Sequence, residues 1–527
     1  MARILPLLRL AHAGFVLARE GVFSIAALPD PPPMVALGLR IARLVERRGV
    51  ARTDAAQRLT EACNRLGPSY VKLGQFLATR ADVVGQEAAA EFSKLQDRVP
   101  PVPDAEARAA VEAALGQPIE SLFEEFGPAV AAASIAQVHP ARVRDADGTE
   151  RKVAVKVLRP GVTRAFARDV ESFYIAARLI EALVPPARRL RPVAVVDTLA
   201  RSVTFEMDLR LEAAALSEMG ENCAGDPDFR VPTVDWRRTA RSVLTMEWID
   251  GIRLTDVDRL QVEGHDLVHL SEVVIQSFLR HAMRDGFFHA DMHQGNLFVA
   301  ADGALVAVDF GITGRLNPEE QRFLAEILYG FITRDYARVA RVHFEAGYVP
   351  ASQDVDLFAQ AIRAIGEPIR GQTANEISMA RLLTQLFEVT DLFEMRTQPR
   401  LILLQKTMVV VEGVARTLDP ELDMWKTAEP VVRSWIQDRL GPAGRIKAAA
   451  GSGADAITRL MMDLPMLVDR SLRITHRLSN SPDPGVELSK ETVNAIAEAE
   501  ARRTRGGRMA LWVIAAAMAV LAIKQLF

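Results

Sequence analysis

Asp291, Asn296 five positions on, and Asp309 crowd into one stretch of this chain, with Asp309 held between an apolar run and Gly311. From Phe288 the stretch reads F-H-A-D-M-H-Q-G-N-L-F-V, then A-A-D-G, then A-L-V-A-V-D-F-G. Phosphoryl transfer from a nucleotide is mostly positioning and charge neutralisation, so it needs a carboxylate near the attacking oxygen and two oxygen ligands for magnesium. Asp291 suits the first role, and Asn296 with Asp309 suits the second. Taken singly, each residue has an ordinary reading, because a lone Asp before a hairpin is commonly a turn or cap residue. The ordered set H-x-D-x-x-x-x-N, hairpin, D-F-G is far more specific and points to a magnesium-nucleotide site.

Several elements must position these residues. Asp302-Gly303 is a two-residue hairpin signal, and the apolar runs flanking it would pair as strands that bring Asn296 and Asp309 to one end. Upstream, A-V-A-A-A-S-I-A-Q-V-H-P-A-R-V, a charged turn at 145–148 and K-V-A-V-K-V-L have the layout of strand, phosphate-covering loop, strand, turn and strand. Kinases place glycines in that loop so that backbone can approach phosphate; here Ala132, Ala133, Ser134, Ile135 and Ala136 stand instead, and each Cβ holds the backbone further off. Lys156 of V-A-V-K is the candidate strand lysine reaching the phosphates, against the plainer reading of a lysine snorkelling at a strand end. A helix predicted over 193–219 carries Glu206, Asp208 and Glu212, with Asp208 and Glu212 on one face and Glu206 turned away. One of the three should pair with Lys156; the plain alternative is surface charge near Arg210. The strand S-V-L-T-M-E-W leads into I-D-G as a hinge, which makes Glu247 and Ile249 candidates, by position, for contact with adenine. A helix predicted over 267–284 puts Val274, Phe278 and Leu279 inward and delivers the chain to His289.

The N-terminal 1–19 is apolar but interrupted by Arg9, which predicts a surface helix rather than a signal peptide. Amphipathic helices follow over 34–66. Gly67-Pro68 then stops one helix and starts the next, P-S-Y-V-K-L-G-Q-F-L-A-T-R, on which Lys72 and Gln75 share a face. By pattern alone that face is simply solvated. A boundary at 100–103 precedes a short helix with Asp104 as its expected cap, and the pattern over 318–439 is helical. Linkers are expected at 448–453 and 480–485. The end, 509–527, would form an apolar helix about 28 Å long, close to the hydrocarbon thickness of a bilayer, with Arg502, Arg503, Arg505 and Arg508 just before it. The rival reading is a helix buried against the rest of the chain or paired in a homodimer.

At 527 residues the chain exceeds one ordinary core. A net charge of −3 with no aromatic-and-basic stripe gives no reason to expect nucleic acid as a partner. The two cysteines, Cys63 and Cys223, lack metal-ligand spacing and argue against a disulfide framework. Abundant Ala, Leu and Arg favour a mainly helical protein.

Assembled, these residues resemble the UbiB family of atypical kinases, the ADCK group. Its marks are K-x-G-Q ahead of the kinase fold, an Ala-rich loop, E-x-D, and H-A-D before D-F-G. Here they stand as Lys72 to Gln75, Ala131 to Ala136, Glu206 to Asp208, His289 to Asp291 and Asp309 to Gly311. The resemblance implies an α+β, two-lobed protein-kinase-like fold, mainly helical. The expected division is an N-terminal helical extension (1–102), an N-lobe with a helical insertion (103–255), a C-lobe (256–440), a helical tail (441–508) and a C-terminal transmembrane helix (509–527). It implies ATP and Mg2+ as cofactors and a role in ubiquinone biosynthesis at a membrane, the bacterial inner membrane, with the catalytic part cytoplasmic. Expected partners are a membrane lipid or prenylated quinone precursor and other quinone-biosynthesis enzymes. Carried over by motif, Lys156 contacts phosphate and pairs with Glu212, Asp291 is the base-like residue, and Asn296 and Asp309 hold magnesium. Lys72 and Gln75 would enter the cleft where a peptide substrate normally lies, with Glu206 and Asp208 as partners of Lys72. One departure stands out: the family usually has Pro before the Gly-Asn pair, and Gln294 here is expected to loosen the loop. Competing readings are a nucleotide-gated membrane scaffold and a small-molecule kinase.

Overall fold

The computed structural model describes residues 4–24, 33–47, 55–78, 100–184, 190–369, 392–395 and 399–441, with a few single positions between them. The expected linkers at 448–453 and 480–485 and the expected transmembrane helix at 509–527 lie outside the described residues. Among those described, no helix is long and apolar enough to cross a membrane.

The chain opens with helices α1 (Ile4–Arg19), α2 (Pro33–Leu44), α3 (Ala55–Leu66) and α4 (Pro68–Ala78). Gly67, at φ +99°, ends α3 in a conformation that costs a side-chain-bearing residue energy, and Pro68 opens α4 where a missing N–H is harmless. Leu59, Cys63 and Val71 close the α3–α4 contact, and Tyr70 meets Phe173 edge-on at 5.0 Å. Next, α5 (Asp104–Leu115) starts one residue earlier than predicted: Pro103 takes the cap position, so Asp104 is the first helical residue and acts through the helix dipole instead.

The first sheet is built on β1 (Glu125–Phe126), β2 (Ala131–Ala132), β3 (Ala136–Arg144) and β4 (Glu150–Leu158), with β6 (Val243–Glu247) on the far side of β4. Alternation decides what each face does. Val153, Val155 and Val157 point to a core shared with Val111, Phe123 and Phe126, so Lys156 points to the opposite face, where α6 (Val162–Leu183), α7 (Pro192–Glu206) and α8 (Leu209–Cys223) pack. The single helix predicted over 193–219 is thus two. Met207 and Leu209 are both drawn into the core, and between them Asp208 leaves helical backbone to cap α8, its side chain accepting from Arg210 N–H.

Beyond β5 (Phe229–Arg230) and β7 (Gly251–Arg253) comes α9 (Leu267–Arg280), capped by Asp266. Val274, Phe278 and Leu279 are buried as expected, but the α-helix stops at Arg280 and widens into a π-turn, His281–Asp285, that Gly286 ends at φ +63°. After β8 (Phe287–His289), the strands β9 (Leu297–Ala300) and β10 (Leu305–Ala307) form the expected hairpin. Its turn has three residues rather than two: Ala300 N–H reaches Ala304 O at 3.0 Å, and Gly303 sits at φ +86°. With β5 and β7 they make one sheet, while β11 (Thr313–Arg315) pairs with β8. The remaining described helices are α10 (Pro318–Thr333), α11 (Tyr336–Glu345), α12 (Val355–Ile369), α13 (Pro399–Leu418) and α14 (Met424–Leu440). A large core joins α9, α13 and α14 to Phe287, Phe288 and Phe310, which fixes the strand ends carrying the polar residues.

Candidate active site

Lys156 is where the two halves of the site meet. Its Nζ lies 2.7 Å from Glu212 Oε1 and 3.1 Å from Asp309 Oδ2. Glu212 is almost wholly buried on α8, whereas the Asp309 carboxylate is about half exposed, 47% accessible. Burial pushes Glu212 up to about 7, against the pull of Lys156. For Asp309, the partial withdrawal from water opposes ionisation, but the Lys156 ammonium beside it outweighs that and holds the carboxyl below the usual carboxylate range. Burial likewise works against the Lys156 charge, and the two carboxylates override it, so its pKa is raised. Asp309 adopts φ +64°, which costs a non-glycine residue roughly 1 kcal/mol.

The hairpin brings Asn296 and Asp309 together: Asn296 immediately precedes β9, and Val308 N–H donates to Asn296 O at 2.9 Å. Asn296 Nδ2 donates to Asp291 O at 3.2 Å, which leaves Oδ1 as the acceptor end of that amide. The Asp291 carboxylate is 42% exposed, with His293 Nε2 3.8 Å away. Sequence reasoning gave His289 no part of its own, yet it shapes this loop. Its Nδ1 accepts from Asp291 N–H at 3.0 Å, so Nε2 carries the proton and donates to Val308 O at 3.2 Å; burial keeps its pKa low and the ring neutral. Gln294 corrects an expectation. Rather than loosening the loop, its Nε2 donates to Thr417 Oγ1 on α13 at 2.8 Å, while the Thr407 hydroxyl of the same helix shares its one proton between Leu403 O at 2.8 Å and Ala290 O at 3.2 Å.

The Ala-rich loop is a short turn between β2 and β3, with Ala133 N–H bonded to Ala136 O at 2.8 Å. Ala132, Ala133 and Ile135 are half-buried, and Ser134 and Ala136 are buried. Arg159, which the sequence did not single out, pins this turn: Nε donates to Ala133 O and a guanidinium N–H to Pro100 O, both at 2.8 Å, and its own N–H reaches Ile135 O. At the hinge, Glu247 N–H donates to Thr233 O at 2.8 Å and its carboxylate takes Arg230 at 2.9 Å, so neither is turned to the cleft. Ile249 follows β6 outside any strand.

On α4, Lys72 Nζ lies 2.6 Å from Glu206 Oε2, with both side chains mostly covered. Gln75 is half-buried one turn further on. Glu206 is therefore the partner expected of Lys72. Asp208, placed by the helix break at the head of α8, pairs instead with Arg210 at 2.6 Å and with Arg241 at 3.9 Å. Glu206 is also near enough to raise the pKa of Glu212. Among the described residues no group of three or more His, Cys, Asp or Glu side chains forms a metal cage.

Residues 94–343 match the ABC1 atypical kinase-like domain, and 362–423 match the UbiB helical domain. A probable protein kinase UbiB of Marinobacter nauticus is 38% identical over 98% of this chain and 94% of its own length. That of Aeromonas salmonicida is 40% identical over 79% of this chain and 77% of its own. A solved structure, the Rv3197–erythromycin complex from Mycobacterium tuberculosis, is 24% identical and similar in fold, with a TM-score of 0.50 over 72% of this chain and 95% of that one. The match runs through both the kinase-like part that holds Lys156, Glu212 and Asp309 and the helical part that holds Thr417, and it continues along nearly the whole of a relative: the chain has a kinase-like fold and belongs to the UbiB family of atypical kinases.

Proposed function

We propose that this protein binds Mg-ATP in the cleft around Lys156 and works as a kinase-type phosphotransferase or ATPase supporting ubiquinone biosynthesis at a membrane. The observation that carries the reading is the contact of Lys156 with both Glu212 and Asp309, because it sets an ammonium beside an ionised carboxylate in a cleft. The donor set fits magnesium: an ionised Asp309 and the Oδ1 of Asn296 are hard oxygen ligands, and phosphate oxygens would supply the rest of the coordination. Magnesium there would neutralise charge on the phosphates. Lys156 would hold phosphate oxygens, with Glu212 keeping its stem aimed. Asp291, half exposed and steadied by His289 and Asn296, would orient an attacking hydroxyl or water. The turn at Ala132–Ala136 would cover the phosphates less closely than glycines allow, and Glu247 would offer adenine its carbonyl, with the Ile249 N–H beside it. Lys72 and Gln75 on α4 would restrict protein substrates, which favours a small or lipid substrate such as a prenylated quinone precursor. In this reading 1–102 is the helical extension, 103–255 and 256–440 are the two lobes, 441–508 is a tail, and 509–527 anchors the chain with the ATP-using part on the cytoplasmic side.

Asp309→Asn tests the assignment, since Asn tolerates the left-handed backbone while removing the charge. Calorimetry should show Mg-dependent ATP affinity reduced at least tenfold in a protein that stays folded, with the melting temperature lowered by no more than the lost ion pair to Lys156. A strain lacking the gene should regain ubiquinone with the parent and not with the variant. Equal Mg-ATP affinity in both proteins would end this reading, whereas lost affinity with full rescue would favour a scaffold role.

A further inference from the structure

The N-terminal helices present an apolar face to solvent. On α1 the exposed positions Leu5, Leu8 and Phe15 follow helical spacing, with Leu8 at 63% and Phe15 at 49% exposure. On α2, which packs against α1, Leu37, Ile41 and Leu44 repeat at four and three residues, with Ile41 at 55% and Leu44 at 85%. α1 is held beside this face, not through it: Pro6 O accepts from Ser172 at 3.2 Å and Arg9 pairs with Glu171 at 3.3 Å, both on α6, while Leu7 is a further exposed apolar side chain at 51%. So many large exposed apolar side chains on two adjoining helices exceed the scattered exposure of an ordinary soluble surface.

Charge says what covers them. Neither 1–19 nor 33–45 contains an Asp or Glu, while Arg40 and Arg43 are exposed beside the α2 stripe. We propose that α1 and α2 together form a docking face that lies in the headgroup layer of an anionic bilayer, apolar side chains inserted and arginines on lipid phosphates. A two-fold contact with a second copy would set the same arginines against one another, which makes self-association the poorer fit. The face lies on the membrane rather than spanning it, and it needs neither nucleotide nor the 509–527 segment.

Leu8→Cys, Ile41→Cys and, as a distant control, Val262→Cys test this in the full chain. Both native cysteines are buried, so an attached environment-sensitive fluorophore reports the chosen site. In vesicles of phosphatidylglycerol and phosphatidylethanolamine carrying doxyl-labelled acyl chains, positions 8 and 41 should be quenched and 262, which is 86% exposed, should not. Quenching at 41 should fall at least threefold in phosphatidylcholine vesicles, and equally when Arg40→Glu and Arg43→Glu are added. Three outcomes overturn the proposal: quenching at 8 and 41 no greater than at 262, shielding without lipid that grows with protein concentration, or shielding without lipid that disappears when 509–527 is deleted. Because the readout ignores ATP, a failure of the Mg-ATP assignment leaves it standing.

Discussion

Glu212 holds its charge only narrowly. The unfolded chain releases that proton near 4.5 and the folded protein near 7, so between those values the folded state keeps a proton the unfolded state has lost. Its contribution to stability therefore falls as pH rises through that window. The pair with Lys156 behaves oppositely, complete above about 7 and lost below, where Lys156 is left to Asp309. Since Asp309 is the proposed metal ligand, kcat/KM for ATP should rise with pH through about 7. In Glu212→Gln that limb should vanish and the plateau drop at least tenfold; a profile unchanged in shape would remove Glu212 from the mechanism. The pair itself was legible in the sequence because V-A-V-K and an E-x-D helix each carry local pattern. Residue pattern alone left open which carboxylate answers Lys156, since it cannot see the helix break at Asp208; the family motif named Glu212, and Glu212 is the carboxylate found there.

At the scale of elements, what the sequence concealed is long-range. The hairpin after Asn296 was readable from Asp302-Gly303 because turn chemistry is local, though its third residue depended on how β9 and β10 closed. The effect of Gln294 was misread because its partner, Thr417, lies 123 residues away on α13. That bond, with Thr407 on Ala290 O, ties the H-A-D loop to the helical domain. Gln294→Ala and Thr417→Val should each cost little alone. In a double-mutant cycle the pair should show a coupling of about 0.5–1 kcal/mol in stability, the value of a neutral, partly exposed hydrogen bond. Strict additivity would mean that the loop is held by Thr407 and packing instead.

Across the described residues, α4, the helices behind the first sheet and the strand ends of the larger core are joined by one chain of charged contacts, which residue pattern alone did not show. Lys72 of α4 meets Glu206 at the end of α7; Glu206 biases Glu212; Glu212 holds Lys156; and Lys156 reaches Asp309 after β10. Two ammonium groups thus face three carboxylates, and the ammonium contributed by the N-terminal extension acts as a remote counterion for a site it does not line. Taking it away in Lys72→Ala leaves Glu206 uncompensated, so the local potential turns more negative and Glu212 is driven further up. Ligands of opposite sign should then respond oppositely: Mn2+ added without nucleotide should bind a few-fold more tightly by its paramagnetic signal, ATP without metal a few-fold more weakly, and the acid limb should move to higher pH. Parallel losses for cation and anion would instead mean that Lys72 merely holds α4 in place. On the proposed Mg-ATP reading, that balance would make α4 a setting on ionic preference, a helix ahead of the kinase-like strands tuning how much metal must accompany the nucleotide.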